Sequence, residues 1–174
     1  MEKTAIFIDA GYVDAIYKNH IKIKIQYQKM IADLSAGKEL HRAYYYYFPP
    51  YISEPPTPEE KTRRSSFDRF LVSLRSIPRL TLRQGKLEKR PEGFKQKRVD
   101  IMMAVDLVTL SSRNQIESAI LVAGDSDLIP AIEVAKNNGT IIYLYHHVKC
   151  IHNELLNACD ERIQMDSNLW KKWK

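Results

Sequence analysis

Uninterrupted apolar runs, rather than alternating ones, mark the strands of this chain. Thr4-Ala-Ile-Phe-Ile leads straight into Asp9 and then Gly11, and Glu117–Ala123 and Thr140–His146 contain comparable runs. A strand with one wet face alternates polar and apolar residues, whereas a strand covered on both faces is apolar throughout. Between these runs the apolar residues recur at helical spacing. Tyr27, Met30, Ile31 and Leu34 predict a helix over about 26–36 that stops at Gly37. A second helix, 59–76, carries Phe67, Phe70, Leu71 and Leu74 on one side, and further helices follow at Val99–Leu110, Leu128–Asn138 and His152–Cys159. Strands alternating with helices in this way imply an α/β fold: a three-layer sandwich with a mainly parallel central sheet flanked by helices.

The remaining segments are shorter. Tyr12–Asn19 reads as a short helix and Arg42–Phe48, with four successive tyrosines, as a strand with two tyrosines in the core and two outside. Leu80–Arg83 and Lys86–Lys89 flank Gly85 as a strand or hairpin. Residues 91–98 read as a basic, turn-rich connection, and Arg162–Met165 as a last strand. The final Trp170-Lys-Lys-Trp-Lys is expected to be exposed.

A length of 174 residues suits one domain, and 44% hydrophobic with 28% charged residues is an ordinary globular composition. No apolar run approaches the length that spans a bilayer. Met1-Glu2-Lys3-Thr4 shows no signal peptide, so a cytoplasmic location is the expectation. Cys150 and Cys159 lack a CxxC or a Cys/His spacing typical of zinc and are expected to be reduced core thiols.

The formal charge of +6 is unevenly distributed. Residues 61–98 hold thirteen Lys/Arg against three acids, a local balance of +10, which leaves −4 for the rest of the chain. A basic middle inside an acidic frame points to a polyanionic partner.

Four aspartates are placed for chemistry. In a parallel sheet, ligands bind outside the C-terminal ends of the strands. Asp9 ends the first apolar run, Asp125 and Asp127 follow Ile120–Gly124, and Asp100 opens a helix after the basic connection. Helix capping would explain Asp125 or Asp127 alone, but it does not explain a carboxylate at the end of a buried strand such as Asp9. Clustered carboxylates repel one another unless a cation neutralises them, and oxygen-only ligation suits Mg²⁺ or Mn²⁺. Asp106 lies on another face of the helix from Asp100 and, with Ser126, is expected behind the ligands in a supporting role.

Three blocks in this order, Phe7-Ile8-Asp9-Ala10-Gly11-Tyr12, Lys97-Arg98-Val99-Asp100 with Asp106 downstream, and Val122-Ala123-Gly124-Asp125-Ser126-Asp127-Leu128-Ile129-Pro130, resemble the signature blocks of the NYN domain, LabA-like branch, within the PIN-like nucleases. The resemblance runs over residues 3–166. It implies a single NYN/PIN-like domain over 1–166, a basic C-terminal tail over 167–174, and a Mg²⁺- or Mn²⁺-dependent ribonuclease site built on Asp9, Asp100, Asp125 and Asp127. Two positions depart from the family pattern: Ala10-Gly11-Tyr12 follows the first aspartate where many members have asparagine, and Arg98 stands where a glycine is usual.

RNA, most simply single-stranded, is then the expected partner; DNA and a homo-oligomer stay open, and no membrane contact is expected. Arg63, Arg64, Lys95, Lys97 and Arg98 are the expected phosphate-binding cations, and Tyr12, on the loop after the first strand, an expected substrate contact. His146-His147 end a strand on the same rim but point oppositely and are not assigned to catalysis. A non-catalytic RNA-binding or regulatory module on the same fold is the competing reading. Receiver and Toprim sites fit less well, since the first strand ends in a single aspartate.

Overall fold

The structure, a computed structural model, describes residues 1–90 and 93–174, with the backbone alone for 87–90 and 94–97. Its strands are β1 (Lys3–Asp9), β2 (Glu39–Tyr47), β3 (Leu80–Gln84), β4 (Lys86–Arg90), β5 (Gly93–Lys97), β6 (Ser118–Val122), β7 (Ile141–His146) and β8 (Glu161–Gln164). Six of them form one sheet in the order β3-β2-β1-β6-β7-β8, every pairing parallel. The chain winds outward from β1 through β2 to β3, then returns to the other side of β1 and winds outward again through β6, β7 and β8. The direction therefore reverses between β1 and β6.

Helices cover both faces. On one, α4 (Val99–Ser112), α5 (Ile129–Asn137) and α6 (Asn153–Ala158) pack Met103, Leu107, Ile132, Ala135 and Leu155 against Ala5, Phe7, Tyr44 and Tyr46. On the other, α1 (Ala10–Ile16), α2 (Tyr27–Leu34), α3 (Pro58–Arg75) and α7 (Ser167–Lys172) pack Ile16, Met30, Leu71 and Trp170 against Ile6, Ile8, Tyr45 and Tyr47. The three-layer α/β expectation is met, with a central sheet that is wholly parallel. No helix among the described residues is long and apolar enough to cross a membrane.

Four local expectations are corrected. All four tyrosines of Tyr44–Tyr47 are buried, because β2 lies inside the sheet and both of its faces are covered. The hairpin is β4-β5, an antiparallel ribbon outside the main sheet, and β3 is a parallel edge strand. Most of the 91–98 connection is thus the strand β5; residues 91–92 lie outside the described residues. The expected helix after β1 starts at Ala10 and ends in a π-helical turn, Tyr17–Ile21.

The terminal segment is the fourth. Trp170 and Trp173 are fully buried rather than exposed. Their indole N–H groups donate to Ile23 O at 2.6 Å and to Asp33 Oδ2 at 2.8 Å, respectively.

Candidate functional site

The aspartates gather where the winding reverses. A crevice opens at such a switch point, because the connections from neighbouring strands leave in opposite directions. Asp9 is the last residue of β1 and, contrary to the expectation that capping does not explain it, caps α1, its Oδ1 accepting from Tyr12 N–H at 3.2 Å. Alternation along β1 puts it on the side of Ala5 and Phe7, the face that α4 covers. Asp100 stands in the first turn of α4. Asp125 follows β6 and caps the 3₁₀ turn Ser126–Leu128, its Oδ1 accepting from Asp127 N–H at 2.9 Å. Asp9, Asp100 and Asp125 are partly buried and Asp127 is exposed.

These carboxylates feel one another. Burial pushes the Asp9 carboxyl up to about 6, and the charges of Asp100 and Asp125 push in the same direction, against the Tyr12 and Gly11 amides that favour ionisation. Asp100 is likewise raised, first by burial and then by Asp125 and Asp127. Among the described residues, no three of these carboxylates offer oxygens within 4.8 Å of one another. The donor set is all oxygen and mutually repulsive, which fits a hard cation. Such an ion commonly takes one or two carboxylates directly and reaches others through water.

Glycine and tyrosine shape the floor. A Cβ on Gly124 would overlap the Tyr12 ring and lie 2.7 Å from the Cys150 carbonyl oxygen, so only glycine allows the chain leaving β6 to turn toward Asp125 here. Tyr12 itself is 9% exposed, and its hydroxyl accepts from His147 N–H at 3.0 Å. Tyr12 lies on α1 rather than on a loop, and its hydroxyl faces inward to the backbone after β7.

Asp106 lies further along α4. Its Oδ2 accepts from the Tyr46 hydroxyl at 2.8 Å, and Arg83 donates to both of its oxygens. Ser126 begins the 3₁₀ turn between Asp125 and Asp127.

The cations are spread along the neighbouring edge. A capping box between Thr57 and Glu60 starts α3, which sets Arg63 and Arg64 in its first turns. Arg63 donates to Tyr51 O at 2.8 Å, and Arg64 pairs with Asp68 at 3.0 Å, both on the surface. A cleft of about 280 Å³ has Arg64, Lys86, Gly85 and Pro49 in its walls. At its wall, Gly85 packs so closely on Phe48 and Val99 that a Cβ would lie 2.7 and 2.8 Å from them, and Val99 precedes Asp100 in α4. The Lys95 and Lys97 side chains lie outside the described residues. Arg98 is exposed at the N-terminus of α4 with φ +82°. That is the left-handed conformation, so the backbone keeps the turn for which the family pattern uses glycine.

The family described as NYN domain matches residues 3–166. This chain belongs to the NYN domain family. An NYN domain is in general a nuclease domain, which supports a general nuclease-related role for the chain. No curated protein matches the chain. Among solved structures, a protein of unknown function from Vibrio parahaemolyticus RIMD 2210633 superposes with a TM-score of 0.72 at 19% identity, over 96% of this chain and 94% of that one. At that identity the likeness speaks for the fold alone.

Proposed function

We propose that this NYN domain, of the LabA-like branch and the PIN-like superfamily, is a metal-dependent endoribonuclease that hydrolyses phosphodiester bonds of single-stranded RNA. The observation that supports it most is the mutual electrostatic influence of Asp9, Asp100, Asp125 and Asp127, drawn from three chain segments to the switch point of a parallel sheet. Asp9, Asp100, Asp125 and Asp127 would hold Mg²⁺ or Mn²⁺, which when bound acidifies a water and offsets charge on the scissile phosphate.

The protein's own groups do the rest. Asp9, left to itself, favours its protonated form up to about pH 6, so cation binding at neutral pH meets a carboxylate already ionised and short of a counter-charge. Arg98, with Lys95 and Lys97 just before it, stands at the entrance to α4 beside Asp100 and draws the phosphate backbone to an otherwise repulsive acidic rim. Arg64, in the wall of the cleft, and Arg63 one residue before it on α3 extend the cationic path.

Cleavage of labelled single-stranded RNA is the test, run with Mg²⁺, Mn²⁺ and EDTA on wild type, Asp9→Asn and Asp125→Asn. Cleavage by wild type with either ion, abolished by EDTA and by both substitutions, is the expected result. Equal cleavage by all three proteins would overturn the assignment of the site. RNA binding without cleavage by any of them would replace the enzyme with the non-catalytic module.

A further inference from the structure

On the far side of Tyr12 from Asp9, two histidines and a cysteine meet. His20 stands on the π-helical turn Tyr17–Ile21, and His147 and Cys150 lie on the segment after β7. The rings of His20 and His147 stack with centroids 4.7 Å apart and planes 13° apart. One ligand atom from each of His20, His147 and Cys150 lies within 4.8 Å of the other two, the one group of its kind among the described residues. We propose that these three residues bind a zinc ion at a site separate from the carboxylate rim.

The donor chemistry selects the metal. Two imidazoles and a thiolate suit zinc and similar borderline ions, whereas the all-oxygen rim suits hard ones, so one chain would present two sites of opposite preference. The geometry is close to what zinc needs. With Zn–N of about 2.0–2.1 Å and Zn–S of about 2.3 Å, tetrahedral ligand atoms lie about 3.3–3.7 Å apart, so closing the group needs movements of at most roughly 1–1.5 Å. His20 is exposed and can make that movement, while His147 is buried and held.

Two hydrogen bonds hold the His147–Cys150 turn. His147 N–H donates to the Tyr12 hydroxyl, and Cys150 N–H donates to His147 O at 2.9 Å, which brings the thiol back beside the ring. Lys149 N–H also donates to His147 Nδ1 at 3.3 Å, a long bond that coordination through Nδ1 would displace. On binding, the Cys150 thiol releases its proton to solvent as the Zn–S bond forms, both imidazoles coordinate as neutral rings, and a water fills the fourth position.

The position of the site gives it a purpose. An ion there ties the π-helical turn to the loop after β7, and that loop presses the Cys150 carbonyl against Gly124, one residue before Asp125. The sequence offers Cys150 no spacing typical of zinc and suggests a core thiol, whereas the fold leaves Cys150 half-buried and brings His147 and the distant His20 beside it.

The experiment uses the full chain, stripped with a chelator and titrated with Co²⁺ and then Zn²⁺. Wild type and Asp9→Asn are expected to gain a thiolate-to-cobalt charge-transfer band that saturates at one equivalent and is erased by Zn²⁺. Cys150→Ser and His20→Ala are expected to lose it while keeping the wild-type circular dichroism, His20 being exposed. No band in wild type, a band that survives in Cys150→Ser, or a band lost in Asp9→Asn would each overturn the proposal.

Discussion

Arg83 holds Asp106 through two hydrogen bonds, Nε to Oδ2 at 2.9 Å and Nη2 to Oδ1 at 3.1 Å. The Tyr46 hydroxyl donates to the same Oδ2. β3, β2 and α4 are thereby joined at one carboxylate, on the helix whose first turn carries Asp100. Removing that acceptor leaves a buried hydroxyl and a guanidinium without it. Asp106→Ala is expected to lower unfolding stability by about 2 kcal/mol in urea titrations. Arg83→Met, which leaves Tyr46 its acceptor, should cost less.

The acidic rim makes stability depend on pH. Asp9 is raised to about 6 in the folded chain, against about 3.9 in an unfolded one. Between those values the folded protein keeps a proton that the unfolded chain releases, so the contribution of Asp9 is complete below about pH 4 and is lost as the pH rises through about 6. The effect is on the order of 3 kcal/mol. Asp9→Asn keeps a residue able to cap α1 and removes the charge. It should therefore melt above wild type at pH 7.5 in EDTA and lose that advantage at pH 4. Mn²⁺ should raise the wild-type melting temperature at pH 7.5 more than that of the variant.

What was legible in the sequence was whatever depends on local pattern. The unbroken run Thr4–Ile8 ending in Asp9 announces a strand covered on both faces, and hence a sheet whose C-terminal rim can hold acids. What depends on distant partners was hidden. Nothing local shows that β2 has neighbours on both sides and helices above and below, so Tyr44–Tyr47 read as half exposed when all are buried. β5 is rich in lysine and has no apolar alternation, and its strand character comes from pairing with β4. Tyr12 read as a residue of the loop after the first strand, yet it lies on α1, and the segment after β7 supplies the amide that turns its hydroxyl inward.

The end of the chain tests the same distinction between local composition and long-range packing. Trp173 is fully buried; its indole N–H donates to Asp33, and its carbonyl accepts from Gln26 N–H at 2.6 Å. Emptying so large a buried volume typically costs about 3–5 kcal/mol. Trp173→Ala is expected to fall in that range by chemical denaturation, whereas Lys171→Ala, on an exposed neighbour, should change stability by no more than about 0.5 kcal/mol. A small loss in Trp173→Ala would mean that the terminal helix does not close the core.

Arg98 sets a backbone preference against a charge. At φ +82° an arginine is strained relative to glycine by roughly 1–2 kcal/mol, partly offset by the greater freedom glycine has in the unfolded chain. Arg98→Gly is therefore expected to raise stability by about 0.5–1 kcal/mol. If the guanidinium meets a phosphate, the same change should weaken binding of single-stranded RNA and lower the slope of log affinity against log salt by about 0.7. The opposite signs are informative, because a merely disruptive substitution would lower both quantities. Arg98→Lys separates the two effects further: it retains the strain and the full positive charge, so stability should stay at the wild-type value and the salt slope should stay unchanged. Thermal melts and binding titrations between low and moderate salt on these two variants check it, and an Arg98→Gly protein that binds RNA with wild-type affinity and slope would remove Arg98 from the phosphate path.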